Sequence, residues 1–228
     1  DRELGRLESR LARQIGFASF PGTDDAFFGP AAALTRDCGR EFVRQVITGD
    51  VVRDWRGGGG ESPFVPPERD AGLIPLDTES DWYRRQWPNR TVLGATTGFG
   101  GRTQAASGVP WWGWYRWVAE RYRTPLSIAF AFVATHNHFV LDRGGKVFKQ
   151  SAPVIKLPKE ATEDDHLALL GVLNSSTACF WLKQNSHDKG NGGYGGGVAS
   201  TARGGVSQIT RATPQGFSFS PLPSPPRG

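Results

Sequence analysis

Leu4, Leu7, Leu11 and Ile15 in "DRELGRLESRLARQIGF" recur at helical spacing among Arg and Glu, which predicts a short amphipathic helix. It suits either a lid on a domain or a linker from an upstream one. "FPGTDDAFFGPAAALTRDCG" follows, with turn signals at both ends. "TGD" reads as a turn and "VVRDW" as a strand, and four glycines then break the run. The prolines of "SPFVPPE" restrict it to extended or edge structure. "DTESDWYRRQWPN" predicts a short helix stopping before Pro88, and "RTVLGATTGFGGRTQAASGVP" a glycine-rich loop. "WWGWYRWVAERYRTP" has helical character to about Pro125.

The second half is more strongly patterned. "SIAFAFVA", Ser127 to Ala134, predicts a buried strand. "HFVLDRGGKVFKQSAPVIKL" predicts further strands, with Gly144 and Gly145 as a hairpin turn. "ATEDDHLALLGVLNSSTACFWLKQ" predicts one long helix. Thr162 and Asp165 fit a capping box, and Leu169, Leu173 and Phe180 share an apolar stripe. Beyond Gln184 the chain is too glycine-rich to pack by itself, and "TPQGFSFSPLPSPPRG" predicts an extended tail. There are no internal repeats. The fold class expected is α+β, with mixed and antiparallel strands, helices and long Gly/Pro-rich loops.

Composition adds bounds. The 228 residues suit one large domain or two small ones, and 38% hydrophobic content supports a core. No apolar run approaches the roughly 20 residues of a membrane span, and no signal peptide opens the chain, so no membrane partner is expected. The chain lacks Met and starts on Asp, as expected of a piece of a longer protein. Cys38 and Cys179 form no framework, which points to a reducing, cytoplasmic setting. The net charge of +5 bears on partners rather than on fold.

Between Asp81 and Arg123 lie six of the eight tryptophans and seven arginines, against two acids, Asp81 and Glu120. Arginines neutralise phosphates or read guanine, and rings stack on bases. The same residues also suit a core edged by arginines whose stems lie along it. His136 and His138 are spaced H-x-H on a predicted strand, where alternate residues share a face. A zinc site there needs a further ligand. His166 and His187 are the only other histidines and no Cys is near, so no metal is expected. Two uses remain: a strand-end pair hydrogen-bonding protein or phosphate, and a purely structural one.

"GNGGYG", Gly190 to Gly195, follows a helix, whereas a dinucleotide site needs that spacing between a strand and a helix. It suits a loop approaching a phosphate backbone, or a connector. No P-loop, nucleophile elbow, zinc-protease motif or N-P-P-[YF] tetrapeptide occurs, so neither catalytic nor cofactor-binding residues are expected. The residues alone indicate a basic α+β module binding nucleic acid.

Longer stretches carry more. "RYRTPLSIAFAFVATHNHFVLDRGGKVFKQSAPVIKLP", "EDDHLALLGVLNSSTACFWLKQ" and "SHDKGNGGYGGGV" closely resemble the C-terminal half of the PglX family, with "TGDVVRDW" and "WPNRTVLG" upstream. These are adenine-specific DNA methyltransferases of type 2 BREX phage-defence systems, related to type IIG restriction–modification enzymes. The resemblance runs from about Asp24 to Val198 and is dense from Tyr122 to Val198. It departs after the glycine loop, where the family has an acidic-aromatic segment ending near F-P-L-P. Here the chain is basic and Ser/Pro-rich, with only "FSFSPLP" as an echo.

The resemblance implies a target-recognition-domain-like fold that grips double-stranded DNA and positions an adenine for flipping. It implies S-adenosylmethionine for the full-length parent, and none in this piece. The implied partners are duplex DNA, an N-terminal methyltransferase domain and other BREX proteins. In this context the His136–His138 strand and its loops would face DNA or the methyltransferase domain, with polar support the preferred role. The expected division is a linker helix over 1–20, a target-recognition domain over 21–198 and a low-complexity tail over 199–228. The expected DNA-contacting cations are Arg53, Arg56, Arg84, Arg85, Arg90, Arg102, Lys146, Lys149, Lys183 and Lys189. A second function class stays open, a platform docking defence partners with little DNA contact, because interfaces favour Trp and Arg as well.

Overall fold

The computed structural model describes residues 14–53, 62–65, 77–98 and 101–185, with the backbone of short strands at 56–57, 68–69, 72–73, 187–188 and 207–208. In chain order the strands are β1 Gln14–Gly16, β2 Ser19–Phe20, β3 Phe28–Gly29, β4 Gln45–Ile47, β5 Val52–Arg53, β6 Arg56–Gly57, β7 Ser62–Pro63, β8 Glu68–Arg69 and β9 Gly72–Leu73. They continue as β10 Arg116–Trp117, β11 Ser127–Phe130, β12 Val133–Ala134, β13 Phe139–Asp142, β14 Lys146–Phe148, β15 Val154–Lys156, β16 His187–Asp188 and β17 Ser207–Gln208. The α-helices are α1 Asp24–Phe27, α2 Ala31–Cys38, α3 Asp81–Gln86, α4 Arg90–Ala95, α5 Glu163–Leu173 and α6 Ser176–Asn185. The α+β class is borne out.

An antiparallel sheet in the order β1-β15-β11-β13 organises the second half. Its period-two alternation sends Ile128, Phe130, Phe139 and Ile155 to one face, where Leu169, Leu170 and Leu173 of α5 cover them. Ala129, Val140 and Val154 face the other way, onto Ile47, Val52 and Phe148. Both faces are buried, which is why Ile128, Ala129 and Phe130 are apolar in succession without alternation.

A third cluster is aromatic. Phe27, Phe64, Trp82 and Trp114 are buried with Leu34 and Leu93, and Trp111, Trp112 and Trp117 pack against them half-buried. Trp114 Nε1 donates to the Phe64 carbonyl at 3.2 Å, so its one polar atom is satisfied inside the core. Most of the tryptophan-rich segment is thus core.

The structure departs from the sequence patterns at several places. Gln14–Gly16 is a strand, with Ile15 opposite Ile155, so the opening helix does not reach Ile15; residues 1–13 lie outside the described set. The segment after Trp111 is turns, β10 and a 3-10 turn at Ala119–Tyr122 rather than a helix, because its rings are buried on more than one side. Arg90–Ala95, expected as loop, is helical. Gly144 and Gly145 do make a turn, at φ of 103° and 83°. Yet β14 pairs parallel with β4 and β13 pairs with β11, so no hairpin ladder forms. Ser207–Gln208, within the expected tail, pairs with β12 and β16.

The single late helix is two. Asn174 caps α5, its N–H still on Leu170 O at 3.0 Å, while its side chain clamps a strand: Oδ1 accepts from Phe139 N at 3.0 Å and Nδ2 donates to Phe139 O at 2.9 Å. Ser175 Oγ then caps α6 through Ala178 N at 3.1 Å. The break rotates Phe180 off the Leu169–Leu173 stripe and leaves it 68% exposed. The capping box at Thr162 and Asp165 is present, and hydrogen bonds from the Thr162 backbone and hydroxyl hold the Asp165 carboxyl below its usual range. Thr162→Ala is expected to cost about 1 kcal/mol in urea unfolding.

Candidate nucleic-acid interface

The expected cations do not form one group. Arg84, Arg85 and Arg90 stand on the α3–α4 pair. Arg84 lies 2.9 Å from Asp81, and Arg85 reaches Asp37 of α2 at 3.1 Å. Arg90 sits 4.1 Å over the ring of Trp87, which is 42% exposed, and donates to the Trp87 carbonyl. Lys149 pairs with Asp24 and lies 5.4 Å from the Phe28 ring. Lys146 pairs with Asp142 at 2.9 Å. Arg53 donates to the carbonyls of Gly49 and Val52. Arg56 lies opposite Arg53 in the β5–β6 ladder, and its side chain is outside the described set, as is Lys189. Arg102 and Lys183 are exposed and make no ion pair with another described residue.

The acids that hold Arg85 and Lys149 lie 48 and 125 residues away along the chain. Sequence spacing carries no signal for such pairs, and the patterns missed Asp24 and Asp37.

A cavity of about 190 Å³ lies between residues 121–125 and the turn after β13, lined by Arg121, Arg123, Ser127, Asp142, Gly145 and Lys146 among others. Of these only Lys146 was expected at a site. Arg121 donates to the carbonyls of Phe17 and Ile15, tying β1 to the body. Lys156 lies behind Ser127. Its ammonium donates to Thr124 O and Leu126 O at 2.6 Å and to Ser127 Oγ at 2.8 Å. Burial pulls its pKa down from 10.5 to about 8, and the Asp142 charge acts in the opposite sense. With all three protons donated, the ammonium has no lone pair to activate Ser127, so the contact is structural.

His136 and His138 fall in the loop between β12 and β13, not on a strand, with ring centroids 6.4 Å apart. His136 is exposed, and its Nδ1 lies 3.0 Å from Thr135 Oγ1. Among the described residues no group of three or more His, Cys, Asp and Glu converges to hold a metal. Asn137 lies between them. Its Nδ2 donates to Leu173 O at 2.6 Å and Ser175 O at 3.2 Å, satisfying carbonyls where α5 ends. Both cysteines are free, and burial raises the Cys38 thiol to about 11. No helix among the described residues is long and apolar enough to cross a membrane.

No protein-family model matches the chain. Over 182 residues, 79% of its length, it is 44% identical to the adenine-specific methyltransferase PglX of Streptomyces coelicolor. The chain is a relative of PglX. This bears out the resemblance read from the sequence. The match spans 15% of PglX, so the chain corresponds to a small part of that protein's length. Its fold also matches part of the type IIL restriction–modification enzyme MmeI, solved in complex with DNA. The TM-score is 0.52 at 14% identity, over 79% of this chain and 23% of MmeI. At that identity the likeness is one of fold.

Proposed function

We propose that the chain is the DNA-binding target-recognition region of a site-specific adenine-N6 DNA methyltransferase acting in BREX-type phage defence. The 44% identity to PglX over 79% of the chain carries this reading. The fold shared with MmeI, whose structure holds DNA, supports it, as do the exposed cations Arg102, Arg123 and Lys183. In this reading residues 21–198, with β1 completing the sheet, hold duplex DNA. Methyl transfer from S-adenosylmethionine belongs to a separate methyltransferase domain of the whole protein. Arg84, Arg85 and Lys149 would exchange a carboxylate for a phosphate on binding, whereas Arg102 and Lys183 need no such exchange.

The test is duplex binding by the chain against salt. The expected result is an affinity falling linearly with salt on logarithmic axes, by about 0.9 per phosphate neutralised. A salt-independent affinity, or no retention of duplex at low salt, overturns it. One observation favours a docking platform instead: Trp87, Val92 and Phe180 are exposed while four expected DNA cations are already paired. Co-purification with another defence protein, without duplex retention, decides for that alternative.

A further inference from the structure

The cavity between residues 121–125 and the Asp142–Lys146 turn has a composition that the aromatic core does not explain. Its wall brings together Arg121, Arg123 and Lys146, with Lys156 one hydrogen bond behind Ser127. Against these four cations stands one lining carboxylate, Asp142, which is 1% exposed. That carboxylate is ion-paired with Lys146, its Oδ1 2.9 Å from Lys146 Nζ but without hydrogen-bond alignment, and its Oδ2 accepts from Gly144 N at 3.0 Å. The acid beyond the turn, Glu163, is held by Arg143, whose Nε donates to it at 3.0 Å.

The cations have different freedom. Arg121 is held in place at the cavity wall, donating to the carbonyls of Phe17 and Ile15. Lys156 is buried and spends its protons on three acceptors. Arg123 is exposed at the cavity and makes no ion pair with another described residue. The turn brings backbone close. Gly144 has φ +103°, and a Cβ there would lie 3.1 Å from Pro125 Cβ; Gly145 has φ +83° with open space where a Cβ would be. Two glycines in the left-handed region leave main chain at the cavity uncovered by side chains.

We propose that this cavity is an oxyanion seat for one backbone phosphate of duplex DNA, with Arg123 as the contacting fork and Lys146, positioned by Asp142, as the second cation. The inference rests on the DNA-binding reading above and names a contact within it. A volume of about 190 Å³ admits a phosphate with a few waters and is too small for a base pair. The guanidinium matches a phosphate's oxygens two at a time, and the surrounding positive charge favours an anion over a neutral base edge. The seat therefore fixes register on the duplex and carries no sequence preference.

The experiment measures duplex affinity by fluorescence anisotropy across a salt series, on the whole chain, with two duplexes of unrelated sequence. Arg123→Ala is expected to lower the salt slope by about one unit on both duplexes. Its affinity deficit then narrows by about fourfold between roughly 50 and 200 mM salt. Lys159→Ala, an exposed lysine 3.7 Å from Glu160 and outside the cavity, should match wild type. The double variant Asp142→Asn/Lys146→Gln removes the Asp142–Lys146 ion pair as a whole and should lower the slope again; buried Lys156 loses the support of the Asp142 charge, so the fold of this variant is checked first by urea unfolding. If the double variant does not fold, Arg123→Ala decides alone. A wild-type slope for a folded Arg123→Ala overturns the seat, and so does a loss confined to one duplex. A wild-type chain that does not bind duplex at all sinks the DNA reading itself.

Discussion

Phe139→Ala is expected to lower the unfolding free energy by about 3–5 kcal/mol. Phe139 is fully buried, its ring centroid is 5.4 Å from that of Phe130, and it belongs to the cluster that joins β13 and β11 to α5 and α6. Its backbone N–H and carbonyl are both held by Asn174, so the strand cannot easily slide to fill the void. A rigidly framed cavity is the costly kind. Domains of this size hold about 5–15 kcal/mol in all, so the variant should lose a large share of its stability. Phe180→Ala is the control: that ring is 68% exposed, and its loss should stay within about 0.5 kcal/mol. Urea unfolding with unchanged m-values measures both. Equal effects would mean that α6 does not sit as described.

The second large effect is a pH dependence. Lys156 is 4% exposed and its pKa is drawn down from 10.5 to about 8 by burial. Below pH 8 both the folded and the unfolded chain carry the proton, and the folded state bears the whole cost of a buried ammonium. Between pH 8 and 10.5 the folded chain releases the proton first, so the unfolded state binds more protons and stability rises with pH. Relative to Lys156→Met, the wild type should therefore gain about 2 kcal/mol from pH 7 to pH 10. The comparison cancels tyrosines and other lysines titrating in that range. A difference that stays flat would mean that Thr124 O, Leu126 O and Ser127 Oγ hold the ammonium so well that burial does not dominate.

Features written within one turn of chain were legible. The Thr162–Asp165 box closes over three residues, and it appears where the pattern put it. The apolar run of β11 reads as a strand buried on both faces because each residue carries its own burial requirement. Gly144 and Gly145 announce a turn by the backbone angles only glycine adopts freely. The relationship to PglX was likewise legible in long identical-looking stretches rather than in any single motif.

What the turn connects was not legible. After Lys146 the chain passes over its neighbour in sequence and pairs with Gln45–Ile47, a choice made by which face of Val147 and Phe148 finds a core. In the same way, Asn174 serves Phe139 across 35 residues where a helix that looked continuous breaks, and Asn137, which the patterns did not single out, closes the end of α5. The cations show the limit most clearly. Charge and residue type are local, so the sequence by itself determined that this chain is basic, rich in Arg and Trp, and built of strands and capped helices. Whether a given Arg or Lys faces a distant Asp, a carbonyl or an open cavity depends on chain segments up to 125 residues apart meeting in space. Only the tertiary structure decided that, because Coulomb and hydrogen-bond energies depend on separation through space rather than on distance along the chain.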